Sequence, residues 1–224
     1  MRFQGWWVTG FAFAGEVAFV AIALGYFGLS EEGIRAIVRG TARCSAVLFL
    51  CAFSASSAHF LLQRTWTAWL LRNRRYIGLS FAVSHTVHLL ALVAFGVWFQ
   101  HPFLDDELGL STLVKGGIGY MFIAAMAMTS FDPPKRWLGS RRWRLLHTVG
   151  GYYIWASFAS IYRALATQHV VFALFAGAVL LALALRVVQV VWQVRQKAAA
   201  YIGSRARLTT RRSRPPSAAA ERGR

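Results

Sequence analysis

The chain has 224 residues, of which 57% are hydrophobic, and a formal net charge of +17. Soluble domains are usually about 45–50% apolar, whereas at about 20 apolar residues per crossing this length allows roughly six membrane-spanning helices. No room is left for a separate soluble catalytic domain. Neither a glycine-rich nucleotide-binding fingerprint nor a hydrolytic triad or zinc-protease pattern occurs, so hydrolytic chemistry is disfavoured and no catalytic residue is predicted.

Six apolar segments along the chain are each long enough to span a bilayer. They cover residues 6–28, 43–62, 77–99, 113–131, 145–163 and 169–192. The first is predicted to be a retained helix and not a signal peptide, because its apolar region is too long and only Arg2 supplies a basic n-region. The sequence therefore predicts an all-α fold, a six-helix transmembrane bundle over residues 1–192.

Basic residues concentrate in two connections and in the region that follows the last segment. Residues 63–76 carry four arginines and no acid, and residues 132–144 carry five basic residues against Asp132. The positive-inside rule places both termini and these two connections in the cytoplasm. Residues 193–224 combine scattered arginines with a proline pair and an alanine run, and they predict a basic, disordered tail. This tail is expected to lie against anionic membrane lipid and not to bind nucleic acid.

Four histidines lie inside the apolar segments, His59, His85, His88 and His147, and His169 stands at the outer end of the sixth. Polar side chains at membrane depth are costly and tend to be kept for function, and imidazole is a common axial ligand of haem iron. An intramembrane histidine also serves as an interhelical hydrogen bonder, and that alternative stays open for each of the four. Their presence on three helices of one bundle nevertheless points to a haem site.

Depth along the helices, at a rise of about 1.5 Å per residue, suggests how these histidines pair. His88 lies about 20 Å and His85 about 15 Å from the cytoplasmic edge, whereas His147 lies about 5 Å in. His59 lies about 8 Å in, which matches it in depth to His147. One hypothesis is a single cytoplasmic-side haem between His59 and His147. The other is a deeper haem on His88 or His85, with the second histidine bonded to a backbone carbonyl or a propionate.

Two motifs resemble the ferric-reductase-like transmembrane family. Residues 74–79, Arg-Arg-Tyr-Ile-Gly-Leu, precede His88 as the family's Arg-Arg-x-x-Gly-Leu entry precedes a haem histidine. Residues 143–147, Trp-Arg-Leu-Leu-His, resemble the family's Trp-x-x-Leu-His entry to its fifth helix. The likeness covers about residues 1–192 and is closest to the haem-binding membrane subunit of the bacterial methionine sulfoxide reductase system.

The resemblance implies a membrane oxidoreductase subunit of the bacterial inner membrane with one or two haems b, ligated by His88 and His147. His59 and His85 are candidate ligands that the family pattern does not supply, and Ser160 stands where the family has a second histidine on the fifth helix. Flavin and nicotinamide domains are absent. Electrons would therefore come from a separate cytoplasmic reductase or from quinol, and would pass to a periplasmic acceptor protein. The alternative is a non-haem bundle that acts as a scaffold or small transporter.

Overall fold

The computed structural model describes residues 4–99 and 107–212, and every regular element within these residues is an α-helix. The helices are α1 (Trp6–Phe27), α2 (Glu31–Leu62), α3 (Thr65–Phe99), α4 (Glu107–Met128), α5 (Asp132–Leu138), α6 (Ser140–Leu165) and α7 (Val170–Arg212). Five of them, α1, α2, α3, α4 and α7, are long and apolar enough to cross a membrane. The all-α prediction is confirmed, and the helices are compatible with a multi-pass membrane protein.

Two helices between α4 and α7 differ from the six predicted crossings. With 26 residues, α6 is long enough to span a bilayer, but glycine, serine and aromatic hydroxyl residues dilute its hydropathy, and it is not among the five apolar spans. The short helix α5 lies inside the connection predicted at 132–144. Pro133 and Pro134 occupy its first turn, where the missing backbone N–H costs nothing.

The second and third helices begin well before the apolar segments that predict them. The Oγ of Ser30 accepts a hydrogen bond from the Gly33 backbone N–H at 3.1 Å and caps α2, and Glu31 accepts two bonds from Arg35 in the first turn. Such capping and i,i+4 pairing sustain a helical turn that is polar in composition. An apolar window therefore underestimates the length of α2.

A tight turn joins α2 to α3 and makes the two helices an antiparallel hairpin. Gln63, with φ 49°, ends α2 in the left-handed conformation, and Thr67 Oγ1 accepts the Arg64 backbone N–H. Small hydroxyl residues line the interface of the hairpin at i,i+4 spacing. They are Thr41, Ser45, Ser80 and Ser84, each at most 2% exposed. Small residues let helix backbones approach closely, which explains why α2 and α3 pack along their length.

The helices α3, α2, α7, α6 and α4 form a ring in that order, with α1 packed outside it against α2 and α3. Four phenyl rings meet inside the ring with centroids 5.3–6.4 Å apart. We call them the aromatic cluster: Phe49 and Phe53 of α2, Phe81 of α3 and Phe158 of α6. The cluster joins α3 to α6 across the bundle interior.

The final helix continues beyond the point where the sequence predicts disorder. The expected irregular tail begins at residue 193, whereas α7 runs to Arg212. Alanines at 198–200 are strong helix formers and carry the helix through a stretch that lacks a core-forming pattern. Residues 213–224 of the predicted tail lie outside the described residues.

Candidate functional site

His85 lies in the middle of α3 and is held by a serine of α2. Its Nδ1 is 3.1 Å from Ser45 Oγ, and Ser45 Oγ donates its own proton to the Ala42 carbonyl at 3.0 Å. Because a hydroxyl has one proton to donate, Ser45 accepts from the His85 Nδ1–H. A neutral imidazole with its proton on Nδ1 keeps the lone pair on Nε2, which is the nitrogen left for a metal.

His88 is fixed in the same tautomer by a backbone carbonyl. Its Nδ1 lies 3.1 Å from the Val38 carbonyl oxygen and 3.1 Å from Thr41 Oγ1. Since a carbonyl only accepts, Nδ1 must carry the proton. Haem and metal histidines are commonly oriented by this kind of bond.

His85 and His88 lie side by side, with ring centroids 5.3 Å apart, and we call them the histidine pair. Tyr120 of α4 stacks on His85 at 4.9 Å, and its hydroxyl donates to the His85 carbonyl oxygen at 3.3 Å. Three residues apart on α3, the two histidines share one helix face. Thr41, Ser45 and Tyr120 were not predicted as site residues; two hydroxyls four residues apart in an apolar helix are the signal that indicates the first two.

His147 is bound through the opposite ring nitrogen. Its Nε2 lies 3.2 Å from Oγ1 of Thr129, the first residue after α4, and Thr129 Oγ1 donates to the Ala125 carbonyl at 2.7 Å. The Nε2 of His147 is therefore the protonated donor. Trp143 packs against the imidazole with centroids 4.4 Å apart, so this histidine is turned toward α4.

His59 lies at the closed end of the α2–α3 hairpin. Its Nδ1 is 3.2 Å from Thr67 Oγ1. The rings of Phe53 on α2 and Tyr152 on α6 contact each other, with centroids 5.6 Å apart, and give a common reference level for the two helices. His59 follows Phe53 by six residues, and His147 precedes Tyr152 by five. Both histidines are thus about 8–9 Å from that contact in the same direction. His59 faces α3 and His147 faces the turn that follows α4. No contact within the described residues joins the two histidines, and their pairing at one depth stays a prediction.

Position 160, where the resembling family has a histidine, faces away from the bundle interior. Ser160 is exposed, and its Oγ donates to the Ser157 carbonyl at 2.8 Å. The α6 side chain that faces the histidine pair is Phe158, whose ring centroid lies 6.0 Å from that of His85. The histidine pair is therefore opposed by a phenyl ring and not by a second ligand.

These donors fit one side of a haem b site. The histidine pair offers Nε2 atoms whose rings are already oriented by α2, which suits an axial ligand supplied by α3. Within the described residues the α6 side chain against His85 is Phe158, and His147, whose Nε2–H bonds to Thr129, keeps its lone pair on Nδ1. No group of three or more metal-ligating side chains occurs within the described residues. His169 is exposed, and His101 lies outside the described residues.

One buried acid lies on the other side of α3. Glu16 of α1 is 4% exposed, and neither carboxyl oxygen has a hydrogen-bond partner within the described residues. Cys44 of α2 and Ser84 of α3 lie beside it. The acid is separated from the aromatic cluster by α2 and α3, so it is not part of the histidine site.

Comparison with known proteins gives no relative for this chain. No family model matches it, and neither a curated protein nor a solved structure matches it. The resemblance of residues 74–79 and 143–147 to the ferric-reductase-like family stays a prediction.

Proposed function

We propose that this protein is an integral membrane b-type haem protein that carries electrons across the membrane. The observation that supports it most directly is the histidine pair, whose Nδ1 atoms are bonded to α2 and whose Nε2 atoms are left for a ligand bond. Either His85 or His88 would hold the haem iron through its Nε2.

The side chains around the histidine pair would have separate roles in holding a haem. Ser45 orients His85, and Val38 with Thr41 orients His88. The aromatic cluster keeps water out of the bundle interior and lowers the local dielectric, which favours retention of an apolar macrocycle. The haem iron, when bound, supplies one-electron redox chemistry. Electrons would come from a separate cytoplasmic reductase or quinol and pass to a periplasmic acceptor.

The proposed topology has six crossings of the bacterial inner membrane, with both termini in the cytoplasm. The excess of arginine and lysine in 63–76 and 132–144 supports it, as does the 26-residue length of α6. Single cysteines at Ser30 and Ser140, in a Cys44→Ser and Cys51→Ser background, test this orientation. An impermeant maleimide applied to intact cells should label position 30 and spare position 140, and the reverse result would overturn the topology.

A second candidate function is a non-haem bundle that acts as a scaffold or small transporter. The observation that favours it is that all four intramembrane-segment histidines have a threonine or serine partner within 3.2 Å. Imidazole–hydroxyl bonds of this kind hold helices together without any cofactor. The two candidates differ in whether Nε2 of the histidine pair binds iron.

The visible absorption spectrum of the purified protein distinguishes the two candidate functions. The full chain, expressed with added haem precursor and purified in detergent, should give b-type bands in a dithionite-reduced minus oxidised spectrum. Pyridine haemochrome titration then gives haem per polypeptide, and His169→Ala serves as the control because this histidine is exposed. A folded protein without b-type bands after haem supplementation contradicts the haem proposal and favours the non-haem bundle.

A further inference from the structure

Two arginines from different helices meet on neighbouring carbonyls of α2. Arg74 of α3 donates its Nε–H to the Ala52 carbonyl at 2.9 Å. Arg186 of α7 donates its Nε–H to the Phe53 carbonyl at 3.2 Å. Because the two carbonyls belong to adjacent residues, the helix backbone holds both guanidinium groups at one level, close enough for the two charges to interact.

The bonds through Nε leave the terminal amino groups of both arginines available. Arg186 also lies over the Phe53 ring at 3.9 Å and the Tyr152 ring at 5.4 Å, which fixes the plane of its guanidinium. Among the described side chains the one ion pair joins Arg35 to Glu31, so no carboxylate balances Arg74 and Arg186. Two like charges held together without an acid are costly unless an anion joins them.

Further positive charge lies on the same side of the bundle. Arg74 and Lys135 are both within electrostatic range of His147, and Lys135 packs over the Trp143 ring at 5.0 Å. Arg74 also belongs to the basic connection 63–76, which the positive-inside rule assigns to the cytoplasmic side. The arginine pair therefore lies on the basic side of the bundle, which attracts anions.

We infer that Arg74 and Arg186 together bind one phosphate group. The planar guanidinium fork matches phosphate oxygens in a bidentate manner, and a phosphate of charge −1 to −2 balances the two cations. Arg74 is exposed and Arg186 half-buried, so the site is open to a ligand. The phosphate belongs either to an anionic lipid headgroup or to a soluble phosphate compound. This inference does not depend on haem binding.

The test uses full-length protein purified in detergent and phosphate-free buffer. The probes are dioleoylphosphatidylglycerol in mixed micelles and inorganic pyrophosphate, and binding is followed by the shift of the tryptophan-fluorescence melting curve. At least one probe should stabilise the wild type. Arg74→Gln and Arg186→Gln should each weaken its apparent affinity about tenfold or more, and the double variant should be little worse than either single one. Arg72→Gln, an exposed arginine two residues away on α3, is the matched control and should bind as the wild type does.

The two probes distinguish a lipid phosphate from a soluble phosphate compound. A response to the lipid alone assigns the site to a headgroup, and a response to pyrophosphate as well assigns it to a soluble phosphate compound. Arg74→Lys and Arg186→Lys keep the charge and the fold but lose the fork, and they should bind more weakly than the wild type. If neither probe stabilises the wild type, or if Arg72→Gln weakens binding as much as the other two glutamine variants, the inference is wrong.

Discussion

Serine or threonine hydroxyls contact the histidines of both α3 and α6, but they do so at opposite nitrogens of the imidazole ring. His85 and His88 give Nδ1–H to acceptors on α2, whereas His147 gives Nε2–H to Thr129, just after α4. In each case the hydroxyl donates its own proton to a backbone carbonyl three or four residues earlier in the chain. The tautomer therefore decides which ring nitrogen keeps the lone pair for a metal: Nε2 in His85 and His88, and Nδ1 in His147.

The largest expected effect is loss of haem when the histidine pair is removed. The double variant His85→Leu/His88→Leu should lose the b-type bands, because it removes both Nε2 atoms that face a ligand. His147→Leu should retain them, since within the described residues His147 contacts Thr129 and Trp143 and not the histidine pair. The reduced minus oxidised spectrum, normalised to protein, measures both. Loss of haem in His147→Leu with retention in the double variant would reverse the comparison and return His147 to the role that the family resemblance implies.

Depth along a helix can be estimated from the sequence because the rise per residue is nearly constant. Counted from the contact between Phe53 and Tyr152, His59 and His147 lie about 8–9 Å away on the same side, and their common depth in a membrane stays a prediction. The direction in which a side chain points was harder to predict. Thirteen residues separate His147 from Ser160, and at about 100° per residue their directions differ by roughly 140°. Ser160 therefore lies on a different face of α6, which a search for ligands by spacing alone overlooks.

Helix boundaries were less predictable than helix centres. Apolar windows find the buried middle of α2, whereas its first three turns depend on the Ser30 cap and the Glu31–Arg35 pair. The hydropathy pattern of the sequence also did not predict which hydroxyl groups contact the histidines. Ser45 and Thr41 contact α3 only because α2 and α3 approach closely along small residues, and that approach is a property of the folded hairpin.

A second effect concerns Phe158, which separates the histidine pair from α6. Phe158→Ala should cost about 3–5 kcal/mol of stability, because it leaves a cavity among Phe49, Phe81 and His85. Unfolding in mixed detergent, followed by tryptophan fluorescence, measures this cost. Ile161→Ala on the same helix is the control, since Ile161 is 52% exposed. The b-type bands should persist in folded Phe158→Ala protein, and their disappearance would show that the phenyl ring itself holds the haem.

A smaller effect is expected when one orienting hydroxyl is removed. Ser45→Ala should weaken haem binding about tenfold, the lower end of what the loss of an outer-shell hydrogen bond costs a metal site. Haem transfer to apomyoglobin gives the dissociation rate. Ser54→Ala removes a hydroxyl from the same helix that bonds only to the Leu50 carbonyl, and Thr129→Val removes the partner of His147. Both of these variants should leave the haem dissociation rate unchanged. If all three substitutions accelerate haem dissociation equally, the two histidine tautomers do not differ in haem binding.

The smallest effect is expected at Glu16, a buried acid whose carboxyl oxygens have no hydrogen-bond partner within the described residues, in contrast to the histidines. Glu16→Gln removes no hydrogen bond within the described residues, so its stability should stay within about 0.5 kcal/mol of the wild type. Asn73→Ala is the comparison. Asn73 is 1% exposed, and its Oδ1 accepts the Gly5 N–H that starts α1 at 2.9 Å, so its loss should cost about 1–3 kcal/mol. The same unfolding assay ranks the two variants. If Glu16→Gln lowers the free energy of unfolding as much as Asn73→Ala does, the prediction is wrong, and the Glu16 carboxyl makes a stabilising interaction that its packing among α1, α2 and α3 does not account for.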